Sequence, residues 1–218
     1  MPYSLDDRLL FPHPSLADDD GLLAIGGDLS TKRLLLAYQH GIFPWFSTET
    51  PILWYAPHER FILDPKELKI TKSMRQFIRN SSFRTTHNTA FTEVIDQCAT
   101  IERKDQQGTW ITTDMQEAYI RLHALGYAHS IETYDDSGSL VGGLYGIQIG
   151  SIFCGESMFS NASNASKLAL IYLCQQFNFE LIDCQIYSEH LASLGATFIS
   201  GSAYYELLQK QKVEPFAI

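Results

Sequence analysis

Between Gly142 and Gly195 the chain reads as two short strands, a polar turn, a helix and an apolar strand, in the stretch GGLYGIQIGSIFCGESMFSNASNASKLALIYLCQQFNFELIDCQIYSEHLASLG. Glu156, at the end of one strand, and Asp183 and Gln185, within another, interrupt segments that otherwise read as core. Side chains two apart on a strand share a face, so Asp183 and Gln185 are expected to point together. Carboxylates are rarely buried without a partner or a task. The stretch therefore predicts an α/β core that carries an active-site cleft.

At 218 residues the chain has room for one large domain or two modest ones. No apolar run approaches the roughly 20 residues that span a bilayer. The opening MPYSLDDRLLFPHP lacks the basic start and apolar core of a secretory signal, so no membrane association or export is expected. Cys98, Cys154, Cys174 and Cys184 are scattered without a CxxC pair, which predicts no metal site and a reduced, cytoplasmic protein. The formal net charge of −9 argues against coating nucleic acid nonspecifically. Against that acidic background Lys66, Lys69, Lys72, Arg75, Arg79 and Arg84 gather in one short segment. They read either as a solvated helix face or as a patch for phosphates.

The first sixty residues hold six of the eight prolines, so much of that segment is expected to be loop around one helix, Thr31 to His40. Strands are expected over Ile52–Tyr55 and Arg60–Leu63, and helices over Lys72–Arg79, Phe91–Ala99 and Asp114–Leu125. A polar loop over residues 102–108 separates the last two helices. A meander follows, with strands at His129–Tyr134, Ser139–Ile149 and Ser151–Glu156. Then come a helix over Lys167–Phe177, capped by Ser163 or Asn164, the strand Leu181–Gln185 and a short helix at His190–Leu194. We expect a small N-terminal domain over residues 1–60 and a larger α/β domain over 61–218.

The order strand, strand, strand, helix, strand is similar to the acyltransferase fold of the N-acetyltransferases (GNAT-type, a mixed-sheet α/β or α+β domain). Those enzymes hold coenzyme A on a glycine-rich turn at a helix N-terminus. The corresponding turn here, Ser160 to Lys167, has no glycine, so a donor other than coenzyme A is expected. The residues themselves resemble one family, the bacterial leucyl/phenylalanyl-tRNA–protein transferases. The resemblance is carried by Gly21–Ser30 (GLLAIGGDLS), Gly41–Ser47 (GIFPWFS), Pro51–Trp54 and Gly108–Thr112. It continues through Gly142–Gly146, Phe153–Ser160 (FCGESMFS), Asn164–Lys167, Leu181–Gln185 and Ala192–Ala196. The departures are a short N-terminal lead, a compact loop near Asn178 and a short tail.

This resemblance implies an enzyme that moves leucine or phenylalanine from charged tRNA to the α-amino group of proteins beginning with arginine or lysine, creating an N-terminal degradation signal. It implies no cofactor and no metal, with a small N-terminal domain that helps to bind the donor. An α-amino group with a pKa near 8 is partly neutral at pH 7, so orientation alone can supply much of the rate. Asp183 is expected to hold the amine or relay its proton, Gln185 to orient the amine or the carbonyl, and Glu156 to bond the donor or the cationic acceptor. Whether Asp183 acts as a base or only positions the amine stays open. Trp45 and Trp110 are candidate stacking surfaces for the terminal adenine. Leu144, Phe153, Met158, Leu170, Leu173 and Ile182 are candidates for the apolar side-chain pocket, although as a bare set they are also ordinary core residues. Lys72, Arg75 and Arg79 are candidate contacts to acceptor-stem phosphates. His123, His129 and His190 are read as packing residues. The competing readings are a transferase with a different peptide acceptor and a silent tRNA- or peptide-binding module. A monomer is the default expectation.

Overall fold

In the computed structural model, residues 1–101 and 109–212 are described, and the loop expected over residues 102–108 lies outside the described residues. The N-terminal segment is less irregular than its prolines suggest. It contains β1 (Tyr3–Leu5), β2 (Leu22–Gly26), the helix α1 (Thr31–Gln39), β3 (Phe43–Pro44) and β4 (Leu53–Tyr55). The strands pair in the order β1-β2-β4-β3, with β1 parallel to β2 and the other pairs antiparallel. They are short enough to fit between the prolines, and Pro44 sits on the edge strand, where a missing N–H is tolerated. Helix α1 starts as expected, with Ser30 Oγ accepting from Arg33 N, and Gly41 then turns the chain at φ +72°.

The rest of the chain follows as β5 (Glu59–Leu63), α2 (Lys72–Asn80), β6 (Arg84–His87), α3 (Phe91–Thr100) and α4 (Thr113–Ala124). The three meander strands are β7 (Ala128–Tyr134), β8 (Leu140–Ile149) and β9 (Ile152–Ser160). The chain continues through α5 (Ala165–Gln176), β10 (Leu181–Gln185), α6 (Glu189–Ser193), β11 (Thr197–Ser200) and α7 (Gly201–Gln209). Among the described residues these strands form one sheet in the order β11-β5-β10-β9-β8-β7-β6. All neighbours are antiparallel except β9 and β10, which α5 links as a parallel crossover. The mixed α/β fold expected from the sequence is the one observed.

Alternation along β8 distributes the core between two faces. Leu144 packs with Leu170 and Leu173 of α5, whereas Tyr145 and Ile147 pack with Phe91, Val94, Met115 and Leu122 of α3 and α4. The second of these clusters continues into Leu23, Leu34, Tyr38 and Trp54, so the N-terminal sheet shares its core with the large sheet. A Cβ on Gly142 would stand 2.5 Å from that of Ala165, which explains a glycine where β8 passes the start of α5.

Two expectations differ. Asn164 is the N-cap of α5 but adopts a left-handed conformation (φ +67°) and makes no capping bond; Ser160 Oγ instead accepts from Ser166 N at 3.2 Å. Strand β9 runs on to Ser160 because Gly155 and Ser157–Ser160 keep their pairing with β8. Among the described residues no helix is long and apolar enough to cross a membrane.

Candidate active site

The site forms where β9 and β10 part. They pair only at Leu181–Asp183 with Ile152–Cys154. Beyond that point each strand carries a bulge. On β9, Tyr145 pairs with Ser157 and Gly146 with Gly155, which leaves Glu156 as the extra residue. On β10 the register against β5 slips between Asp183 and Gln185, and Gln185 sits at φ +62°. Asp183 and Gln185 therefore meet through a bulge rather than by regular alternation. Bulges re-aim side chains, and here they turn Glu156 and Gln185 towards each other, with Gln185 Nε2 donating to Glu156 Oε1 at 2.7 Å. A left-handed non-glycine residue at a site is a local strain that the surrounding contacts must hold.

Asp183 supplies that hold. It is fully buried, and each of its oxygens accepts two bonds. Oδ1 takes Arg60 Nε at 2.8 Å and Gln185 N at 2.8 Å; Oδ2 takes Arg60 Nη2 at 2.6 Å and the Tyr204 hydroxyl at 2.8 Å. The buried Arg60 guanidinium lies between the rings of Phe43 and Tyr204, at 4.7 and 4.8 Å, and its Nη1 donates to Gly41 O. The pair is thus a desolvated bidentate ion pair in which both carboxylate oxygens and each of the three guanidinium nitrogens have a hydrogen-bond partner.

Glu156 lies in a different environment. Its Oε2 accepts from the Tyr119 hydroxyl at 3.2 Å, and Tyr119 is in turn hydrogen-bonded to the Tyr38 hydroxyl. Burial raises the Glu156 carboxyl from 4.5 to about 7; the charge of Asp183 acts in the same direction, while bonds from Tyr38, Tyr119 and Gln185 oppose it. Near pH 7 this carboxyl can therefore be neutral in an empty site and ionised beside a cation.

Glu156, Asp183 and Gln185 line a cavity of about 410 Å³. Its apolar wall is made by Leu144, Phe153, Met158, Leu170, Leu173 and Ile182, and Trp45 and Trp110 also border it. All the residues expected at the catalytic centre and the donor pocket thus surround one space. Strand β3 contributes Phe43 and Pro44 to its lining, and Trp45 follows directly after it. A neighbouring hollow of about 240 Å³ shares Trp45 and Trp110 and adds Phe46, Leu53 and Tyr55. Lys72, Arg75 and Arg79 lie elsewhere, exposed on α2, whose Met74 and Phe77 pack against Leu168 and Ile171 of α5.

The sequence reading missed Arg60, Tyr204, Tyr38 and Tyr119. An arginine in the apolar strand Glu59–Leu63 was a usable signal, since a buried charge demands a partner. The tyrosines sit at helical core positions and carried no such signal. Among the described residues no cluster of three or more His, Cys, Asp or Glu side chains stands ready to hold a metal.

The family model described as "Leucyl/phenylalanyl-tRNA protein transferase" matches residues 62–209, and the model for the N-terminal domain of the same transferase matches residues 27–58. The leucyl/phenylalanyl-tRNA–protein transferase of Syntrophus aciditrophicus (strain SB) is 55% identical over 210 residues, covering 95% of this chain and 87% of that protein. The protein of the same name from Enterobacter sp. (strain 638) is 52% identical over 206 residues, covering 92% and 86%. Among solved structures, an acetyltransferase of the GNAT family from Staphylococcus aureus MU50 aligns at a TM-score of 0.34 and 14% identity, over 45% of this chain and 69% of that one. Matches at this identity over nearly the whole length show that the chain belongs to the leucyl/phenylalanyl-tRNA–protein transferase family.

Proposed function

We propose that this protein transfers leucine or phenylalanine from aminoacyl-tRNA to the α-amino group of proteins that begin with arginine or lysine. The observation that carries the reading is the union of Gln185, Glu156 and an apolar cavity at the gap between β9 and β10. In this reading the leucyl or phenylalanyl side chain enters the pocket of Leu144, Phe153, Met158, Leu170, Leu173 and Ile182. An apolar pocket discriminates weakly between similar hydrophobes, which suits acceptance of both. Trp45 and Trp110 flank the terminal adenosine, and Lys72, Arg75 and Arg79 meet acceptor-stem phosphates.

The acceptor nitrogen attacks the ester carbonyl carbon; the new C–N bond forms and the bond from carbon to the ribose oxygen breaks. The proton lost by nitrogen ends on that departing oxygen. Because Gln185 Nε2 is committed to Glu156, its Oε1 is left to accept an N–H from the attacking amine and orient the lone pair. Asp183 serves as a positioning group: its four bonds leave no lone pair aimed at the amine, and its bond from Gln185 N fixes the strained turn. Glu156 ionises when a cationic amine or acceptor side chain enters, and holds it.

The test follows radiolabelled leucine from charged tRNA to a peptide beginning with arginine, beside its N-acetylated copy and the Gln185→Ala variant. Label on the free-amine peptide alone, with at least about a 10²-fold lower rate in the variant, supports the reading. Label on neither peptide from folded enzyme that still binds charged tRNA would replace it with a binding module or a different acceptor.

A further inference from the structure

Beyond the buried centre, the cavity opens onto an exposed aromatic surface that the chemistry above does not use. Ile186 and Tyr187 line the cavity yet remain 45% and 55% exposed, and Phe198 on the edge strand β11 is 48% exposed. The rings of Tyr187 and Phe198 are stacked, 6.1 Å apart with planes at 15°. Both rest on buried Phe61, at 5.3 and 4.8 Å. A floor of two rings, held from beneath by a third, thus runs from the rim beside Gln185 to the edge of the sheet.

Its charge suits one kind of occupant. No lysine or arginine stands between Lys167 and Lys210, a stretch that contains the whole rim from Ile186 through β11. Exposed Glu189 follows Tyr187 by two residues, and exposed Glu59 pairs with Ser200 at the end of β11. A nucleic-acid strand is held chiefly by cations on its phosphates, and the segment Ile186–Ser200 carries no lysine or arginine of its own; the basic side chains beside it are Lys69, against Gly195, and Lys167, which acts on His190. A polypeptide with a basic leading residue is attracted by Glu59 and Glu189.

We propose that Tyr187 and Phe198 form the platform on which the acceptor polypeptide lies just beyond its N-terminal residue, so that its next side chains pack on the two rings. This rests on the transfer reading above. The platform favours acceptors with apolar or aromatic side chains at those positions, and Glu59 and Glu189 add salt-dependent attraction for the basic residue.

The experiment compares wild type, Phe198→Ala and Tyr187→Ala with two acceptors: arginine amide, too short to reach the platform, and an arginine-led hexapeptide with apolar second and third residues. The ratio of kcat/KM for the long acceptor over the short one is expected to fall about tenfold in each variant, with KM for charged tRNA unmoved. A purely structural defect would lower both acceptors together and leave the ratio constant, which would overturn the proposal. A raised KM for charged tRNA at constant ratio would reassign the rings to nucleotide stacking. Wild type that labels neither acceptor would overturn the transfer reading and this proposal with it. Wild type that labels both, matched by the variants, would overturn the platform alone.

Discussion

Glu132 on β7 and the Asp183–Glu156 pair on β10 and β9 are buried carboxylates of the same sheet, and they serve different ends. Glu132 is 0% exposed and its oxygens accept from the hydroxyls of Thr86, Thr89 and Ser130, at 2.7, 2.9 and 2.5 Å, and from Ala90 N at 3.4 Å. It ties β6 and β7 to the start of α3, whose N-cap Ala90 offers no side-chain acceptor, and it borders neither cavity described above. Asp183 is as well satisfied, but by a cation, and its neighbours Gln185 and Glu156 retain bonding capacity beside an apolar space. Burial of a carboxylate is thus a poor sign of function on its own. The sign is a carboxylate whose neighbours still face a cavity.

The sharpest break of this comparison is Arg60→Ala. It leaves Asp183 buried and unpaired, and an expected loss of about 3–5 kcal/mol would be seen in urea unfolding. A loss below 1 kcal/mol would mean that Asp183 is not held as an ion pair. Glu132→Gln comes next, with an expected cost of about 1–3 kcal/mol from misplaced buried donors. Its folded fraction should transfer leucine at the wild-type kcat; a folded but inactive variant would erase the distinction between the two regions.

Glu156→Gln sharpens the comparison through pH. Below about 4.5 Glu156 is protonated in both the folded and the unfolded chain, so the stability linked to its raised pKa is fully present; it declines as pH rises and is lost by about 7. Each unit of the shift is worth about 1.4 kcal/mol, so melting of the wild type should lose ground to the glutamine variant across that window. Parallel melting curves from pH 4.5 to 7.5 would show that Glu156 titrates normally. The smallest effect is expected from reversing Lys72, Arg75 and Arg79 to glutamate. The KM for charged tRNA should rise, and the salt slope of binding should flatten by about 0.7–0.9 for each lost contact. An unaltered KM would remove α2 from the tRNA path.

Much of this was legible in the residues. Turn residues at Asp135–Gly138 and at Gly150 between short runs, and helical spacing in Phe91–Thr100 and Thr113–Ala124, located the meander strands and these helices to within a few residues. Strand β6, with the polar sequence Arg84–His87, and the exposed edge strand β11 carry little apolar alternation and were not anticipated. Polar residues inside apolar strands pointed to Glu156, Asp183 and Gln185. The same signal was present at Glu132 and Arg60, and nothing local distinguished a structural carboxylate from a site carboxylate.

The sequence by itself determined the family, the order of the elements from α3 to α6 and the chemical groups available, because motif identity and hydrophobic periodicity are local properties of the chain. Tertiary structure alone decided that β9 and β10 separate after Cys154 and Asp183, that two bulges turn Glu156 and Gln185 into the gap, and that Arg60 pairs with Asp183. Those outcomes depend on pairing between residues far apart in the chain, and on which buried charge finds its partner once water has been excluded.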